Sequence, residues 1–87
     1  MTTRELEISK AVLKYLHSLE FGQATALQIH AKAFGEIFGE PKPSATELDA
    51  VLNLCDEEKW ITGMPSRFTR QIKWNINDRG EAALLEL

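Results

Sequence analysis

One cysteine, Cys55, among 87 residues leaves no internal disulfide to stabilise the chain and fits a reducing compartment. No apolar run approaches the roughly 20 residues that cross a bilayer. The start, Met1-Thr2-Thr3-Arg4-Glu5, lacks the apolar stretch of a signal peptide. A cytoplasmic protein without a membrane partner is therefore expected. Glycines number 5, and none belongs to a glycine-rich loop of the kind that cradles phosphates. His17 and His30 fall on different predicted helices, and no C-x-x-C or H-x-x-x-H spacing suggests a metal. Neither catalytic residues nor a cofactor nor a metal is expected, so the chain does not read as an enzyme.

What is present suffices for one small core. A chain of this length buries roughly 60 to 65% of the surface it exposes when unfolded, so a single domain over residues 1–87 is expected. Hydrophobic residues make up 44% and charged residues 26%, ordinary values for a globular protein.

The most informative stretch runs from Ser44 to Met64. Ser44 suits an N-cap, and Glu47 three residues later can complete a capping box. Leu48, Val51, Leu52 and Cys55 then recur at the spacing that stacks apolar side chains on one helix face. Glu47, Asp49, Asn53, Asp56 and Glu57 occupy the other face, which is acidic. Cys55 continues the apolar stripe and reads as a buried thiol rather than a nucleophile.

Upstream, Thr2 or Thr3 can cap a first helix striped by Leu6, Ile8, Val12, Tyr15, Leu16 and Leu19 and ending near Glu20, before Phe21-Gly22. From Ala24 a second helix is predicted to reach Gly39. Its main apolar row is Leu27, Ala31, Phe34 and Phe38, with Ile29, Ala33 and Ile37 beside it. That girth suits a central position, or a row that meets a partner. Pro41-Lys42-Pro43 gives an extended connection. Downstream, Trp60-Ile61-Thr62 begins a strand that Met64-Pro65-Ser66 breaks. Ile72, Trp74 and Ile76 alternate with Gln71, Lys73 and Asn75 in a second strand, their apolar side chains facing inward. The two strands form a hairpin tipped by Arg67, Phe68, Thr69 and Arg70, and Asn77 or Asp78 caps a final short helix.

Two patterns in this order carry a resemblance. Leu48-x-x-Val51-Leu52-x-Leu54-x-x-Glu57-x-x-Trp60-Ile61 is similar to the Leu-x-x-Leu-x-x-x-Gly-Leu-Ile with which recognition helices run into a strand. Trp74-Asn75-Ile76-Asn77-Asp78-Arg79-Gly80-Glu81-Ala82-Ala83-Leu84 is similar to the wing exit Tyr-x-Leu-Thr-x-x-Gly-x-x-x-Leu. Nearly the whole chain thus resembles the winged helix-turn-helix domains of small PadR-like and MarR-like prokaryotic transcriptional regulators. The resemblance implies an α+β winged helix: three helices, a two-stranded hairpin wing and a short C-terminal helix. One departure is Lys59-Trp60 where Gly-Leu is usual.

For a DNA-binding member the resemblance places the third helix in the major groove, which calls for donors to base edges and cations near phosphates. Glu47, Asp49, Asp56 and Glu57 oppose that docking. Lys42, Ser44, Thr46 and Asn53 are the usable residues there. Arg67 to Arg79 carries Arg67, Arg70, Lys73 and Arg79 against Asp78, a local excess of cations in a chain whose net charge is −3. Arginines at a hairpin tip can clamp phosphates or enter a minor groove, or simply keep an edge solvated. Two readings result. One is a transcriptional regulator that grips double-stranded DNA by the basic wing and the start of the third helix. The other is a protein interaction module that uses the acidic third helix or the Phe34/Ile37/Phe38 row. The apolar material after Asn77 is small, so a monomer or weak homodimer is expected.

Overall fold

The computed structural model describes residues 2–19, 23–34, 42–68 and 71–86. The chain enters as helix α1 (Thr3–Ser18), strand β1 (Gln23–Thr25) and helix α2 (Ala26–Lys32). It continues through helix α3 (Ala45–Glu57), strands β2 (Ile61–Pro65) and β3 (Ile72–Ile76), and helix α4 (Asp78–Glu86). Among the described residues these are four helices and one three-stranded antiparallel sheet in the order β1-β3-β2.

Local chemistry explains most boundaries. Thr2 caps α1 through a full capping box: its hydroxyl accepts from the Glu5 N–H, and the Glu5 carboxylate accepts from the Thr2 N–H. The helix buries Ile8, Val12, Leu13 and Leu16, together with Ser9. Ser44 caps α3 by accepting from the Glu47 N–H at 3.1 Å, and Leu48, Val51, Leu52 and Cys55 are buried as their spacing predicted. Pro43, just ahead, is fully buried and anchors the start of α3.

The exit from α3 is a Schellman motif in which the Trp60 N–H donates to the Cys55 carbonyl and the Lys59 N–H to the Asp56 carbonyl, each at 3.0 Å. This motif puts Lys59 at φ 64, the left-handed region where glycine is favoured. Lys59, which departs from the pattern the chain resembles, thus occupies a position whose backbone favours glycine. Gly80, which keeps the pattern, is required by close approach. A Cβ there would collide with the Trp60 carbonyl oxygen, and the Gly80 N–H donates to Asn77 Oδ1 at 2.9 Å.

The region around α2 departs from expectation. A helix from Ala24 to Gly39 was predicted, but Ala24 lies in β1 opposite Trp74, and Thr25 caps α2 through a capping box with Gln28. The described helix ends at Lys32, where Phe34 turns into the core. The facing rows are exchanged as well. Ile29 is fully buried and Ala33 packs against the core, whereas Leu27 is 71% exposed and Ala31 is exposed. Ending near Phe34 lets that ring and Ile29 share the core, which a straight helix presenting Leu27 and Ala31 could not do. Phe34 is therefore unavailable as a partner contact, while Ile37 and Phe38 lie outside the described residues.

Parity in the hairpin holds with one exception. Trp74 is buried and Ile76 packs against the core, but Ile72 is 43% exposed. Strand β2 also continues through the expected break, pairing Met64 with Lys73 and Pro65 with Ile72.

Three substitutions test this packing by urea unfolding. Leu52→Ala should cost about 2 to 5 kcal/mol, whereas exposed Asn53→Ala should cost little. Lys59→Gly should stabilise the fold by up to about 1 kcal/mol, by relieving the left-handed residue.

Candidate functional site

The exposed face of the first two turns of α3 carries Thr46, Asp49, Ala50 and Asn53, with Lys42 and Ser44 exposed just ahead of it. Residues of β3 lie opposite. Between them lies a cleft of about 540 Å³, lined by Leu27 from α2, Asp49, Leu52 and Asn53 from α3, and Gln71, Ile72 and Trp74 from the hairpin. Buried Leu52 and Trp74 form its floor, and exposed Leu27, Asp49, Asn53, Gln71 and Ile72 surround them.

Glu47 takes a different role from the one its spacing suggested. Instead of reaching back to the Ser44 N–H, its carboxylate accepts two hydrogen bonds from Arg4, at 2.7 Å from Nε and 3.0 Å from Nη2. This bidentate pair ties the first turn of α1 to the first turn of α3. The Arg4 hydrogen bonds hold the Glu47 carboxyl below its ordinary value of 4.5, against partial desolvation that pushes it upward. Over Ala45–Asn53 the acid left without a cation is Asp49. At ~1.5 Å per residue Asp56 lies roughly 16 Å along α3 from Ala45 but only roughly 4.5 Å from Asn53, so at physiological salt it is beyond the screening length of roughly 8 Å for the first turn and within it for Asn53.

The cationic residues are more dispersed than the sequence suggested. Lys73 faces away from Trp74, sharing the outer sheet face with Thr25 and Met64. Arg67 is exposed at the hairpin tip, and Arg70 lies outside the described residues. Lys42, Ser44, Thr46 and Asn53 thus form one group at the start of α3, while Arg67 and Lys73 belong to the wing. Sequence reasoning missed Leu27, Gln71 and Ile72 as neighbours of Asn53, because only tertiary packing closes the cleft.

Cys55 and His30 make contacts within the fold. Burial pushes the Cys55 thiol up, and its Sγ–H donates to the Ser9 hydroxyl at 3.4 Å. His30 is half-buried and its Nε2–H donates to the Pro43 carbonyl at 2.8 Å, linking α2 to the entry of α3. Among the described residues no group of three His, Cys, Asp or Glu side chains could hold a metal, and no helix is long and apolar enough to cross a membrane.

The chain is similar in fold to a transcriptional regulator from Clostridium thermocellum. The TM-score is 0.78 with 12% sequence identity, over 99% of this chain and 82% of that one. At this identity the likeness is one of fold, and it spans every element around the cleft. No family model matches the sequence, and no curated protein matches it.

The Arg4–Glu47 pair predicts a pH dependence. A carboxyl whose pKa is lower in the folded state stabilises fully above its unfolded value, near 4.5, and loses that contribution as pH falls through the folded value. Both side chains are about a third exposed, at 35% and 36%, so water screens the pair and the effect is modest. The stability deficit of Arg4→Ala in urea titrations should be largest at neutral pH and shrink below pH 4.5. A deficit unchanged at pH about 3 would mean that Arg4 acts by packing rather than by charge.

Proposed function

We propose that the chain is a winged-helix transcriptional regulator of the PadR-like or MarR-like kind that binds double-stranded DNA. In this reading the first two turns of α3 enter the major groove and the wing grips the backbone. The observation that carries it is the neutralisation of Glu47 by Arg4, which leaves Asp49 as the single uncompensated acid on the docking part of the helix. Asn53 suits adenine, Ser44 and Thr46 suit either base of a pair, and Ala45 and Ala50 offer methyl groups to thymine. Lys42, Arg67, Arg70 and Lys73 supply the phosphate contacts, which position the protein without specifying a sequence. The regulator named among the solved structures supports the same reading. The protein acts as a monomer or weak homodimer, since the apolar α4 residue Leu84 already packs against the core of its own chain.

One observation favours a second reading. Leu27 and Ile72 expose apolar walls on the cleft, and together with the acidic C-terminal half of α3 they suit a protein partner.

Retention on mixed-sequence duplex DNA at low and moderate salt distinguishes the two. Arg67→Ala combined with Arg70→Ala should weaken binding about equally across sequences and flatten d log K/d log[salt] by about 1.8, at roughly 0.9 per phosphate contact. Asp49→Asn should tighten binding by removing repulsion. Glu47→Gln, which frees the Arg4 cation, should also tighten binding, while loosening the α1–α3 tie. A protein that low-salt DNA does not retain, and that Asp49→Asn does not rescue, would favour the protein-binding reading.

A further inference from the structure

We propose that Phe68 is a wedge that enters a base step of the duplex from the minor groove. The inference rests on the DNA-binding reading above and adds a specificity determinant to it. Phe68 is 96% exposed at the hairpin tip, the most exposed large apolar side chain among those described. It is held there by defined backbone. The Ser66 N–H donates to the Gln71 carbonyl at 2.8 Å, closing the loop above the Pro65–Ile72 pair. The Ser66 hydroxyl accepts from the Phe68 N–H at 3.3 Å. The ring therefore stands on a turn propped by the two-stranded ladder, with nothing from the core near it.

The charge around the ring selects the occupant. From Lys59 to Asn77 the chain contains no Asp or Glu, while Lys59, Arg67, Arg70 and Lys73 lie in that stretch of a chain whose net charge is −3. An aromatic ring on an acid-free, cationic hairpin complements a polyanion whose interior is a stack of apolar rings. Double-stranded DNA is that polymer. Apolar side chains inserted at minor-groove steps unstack the base pairs and kink the duplex, and arginines nearby favour the groove's negative potential. Pyrimidine–purine steps, TA above all, unstack most readily. A wedge at Phe68 thus makes the protein prefer such a step without a hydrogen bond to any base, and places that preference where the tip of the wing reaches rather than under α3.

The test uses the full chain with mixed-sequence duplexes that carry 2-aminopurine at TA steps, beside matched duplexes whose steps are stiff A-tracts. The wild type should raise 2-aminopurine fluorescence on binding and favour the TA duplexes by about tenfold, the scale of one discriminated base pair. Phe68→Ala should lose the fluorescence rise and the step preference while keeping its affinity for A-tract duplexes. Phe68→Trp should restore both signals. Phe68 lies outside the core, so unchanged thermal unfolding of both variants is the accompanying control. Fluorescence and step preference retained in Phe68→Ala overturn the wedge. If that occurs while Arg67→Ala with Arg70→Ala still weakens binding, the DNA-binding reading stands and the wedge alone falls. A wild type that binds no duplex overturns both.

Discussion

The indole of Trp74 sets the shape of the sheet. It is buried on the inner face of the central strand, and its cross-strand neighbours are Ala24 on one side and Gly63 on the other. Both must be small. A Cβ added at Gly63 would lie 2.9 Å from the Trp74 ring and 2.8 Å from the Ile72 side chain. The indole therefore fixes the register of both outer strands, and with it the position of everything attached to them. Strand β1 leads directly into the capped start of α2, and β2 receives the end of α3 through the Schellman turn. The Trp60 carbonyl completes the frame by accepting the Asn77 N–H at 3.1 Å, which seats α4 where Gly80 leaves room for it.

Charge is distributed over this frame with a functional consequence. The acids of α3 look prohibitive for DNA binding when they are counted along the sequence. In three dimensions they divide into Glu47, committed to Arg4, Asp49, which borders the cleft, and a C-terminal group far from the first turn of the helix but adjacent to Asn53. The hairpin from Ile61 to Ile76 carries Arg67, Arg70 and Lys73 and no Asp or Glu. The proposed mode of binding rests on that separation of charge.

Much of the fold was legible because its signals are local. The Leu48-Val51-Leu52-Cys55 stripe, the Ser44 cap and the alternation around Trp74 each arise from a period that a short window contains. The α2 region was misread because Leu27-Ala31-Phe34 and Ile29-Ala33 both satisfy helical spacing, and periodicity cannot rank two adjacent apolar rows. The capping pair Thr25 and Gln28 was the available sign that the helix begins at Ala26. Strand β1 has three residues and no period of its own, so it exists by virtue of pairing with β3.

By itself the sequence determined the types of α1, α3, the two hairpin strands and α4, the buried face of α3, the basic hairpin and the burial of Cys55, because propensity, capping and amphipathic period act over a few residues. Tertiary structure alone decided that Arg4 neutralises Glu47 across 43 positions of chain, that Lys73 faces away from the cleft, and that Leu27 and Ile72 face solvent beside Asn53. Each of these depends on which surfaces the folded chain brings within a few ångströms of one another. No local period encodes a distance between residues far apart in sequence.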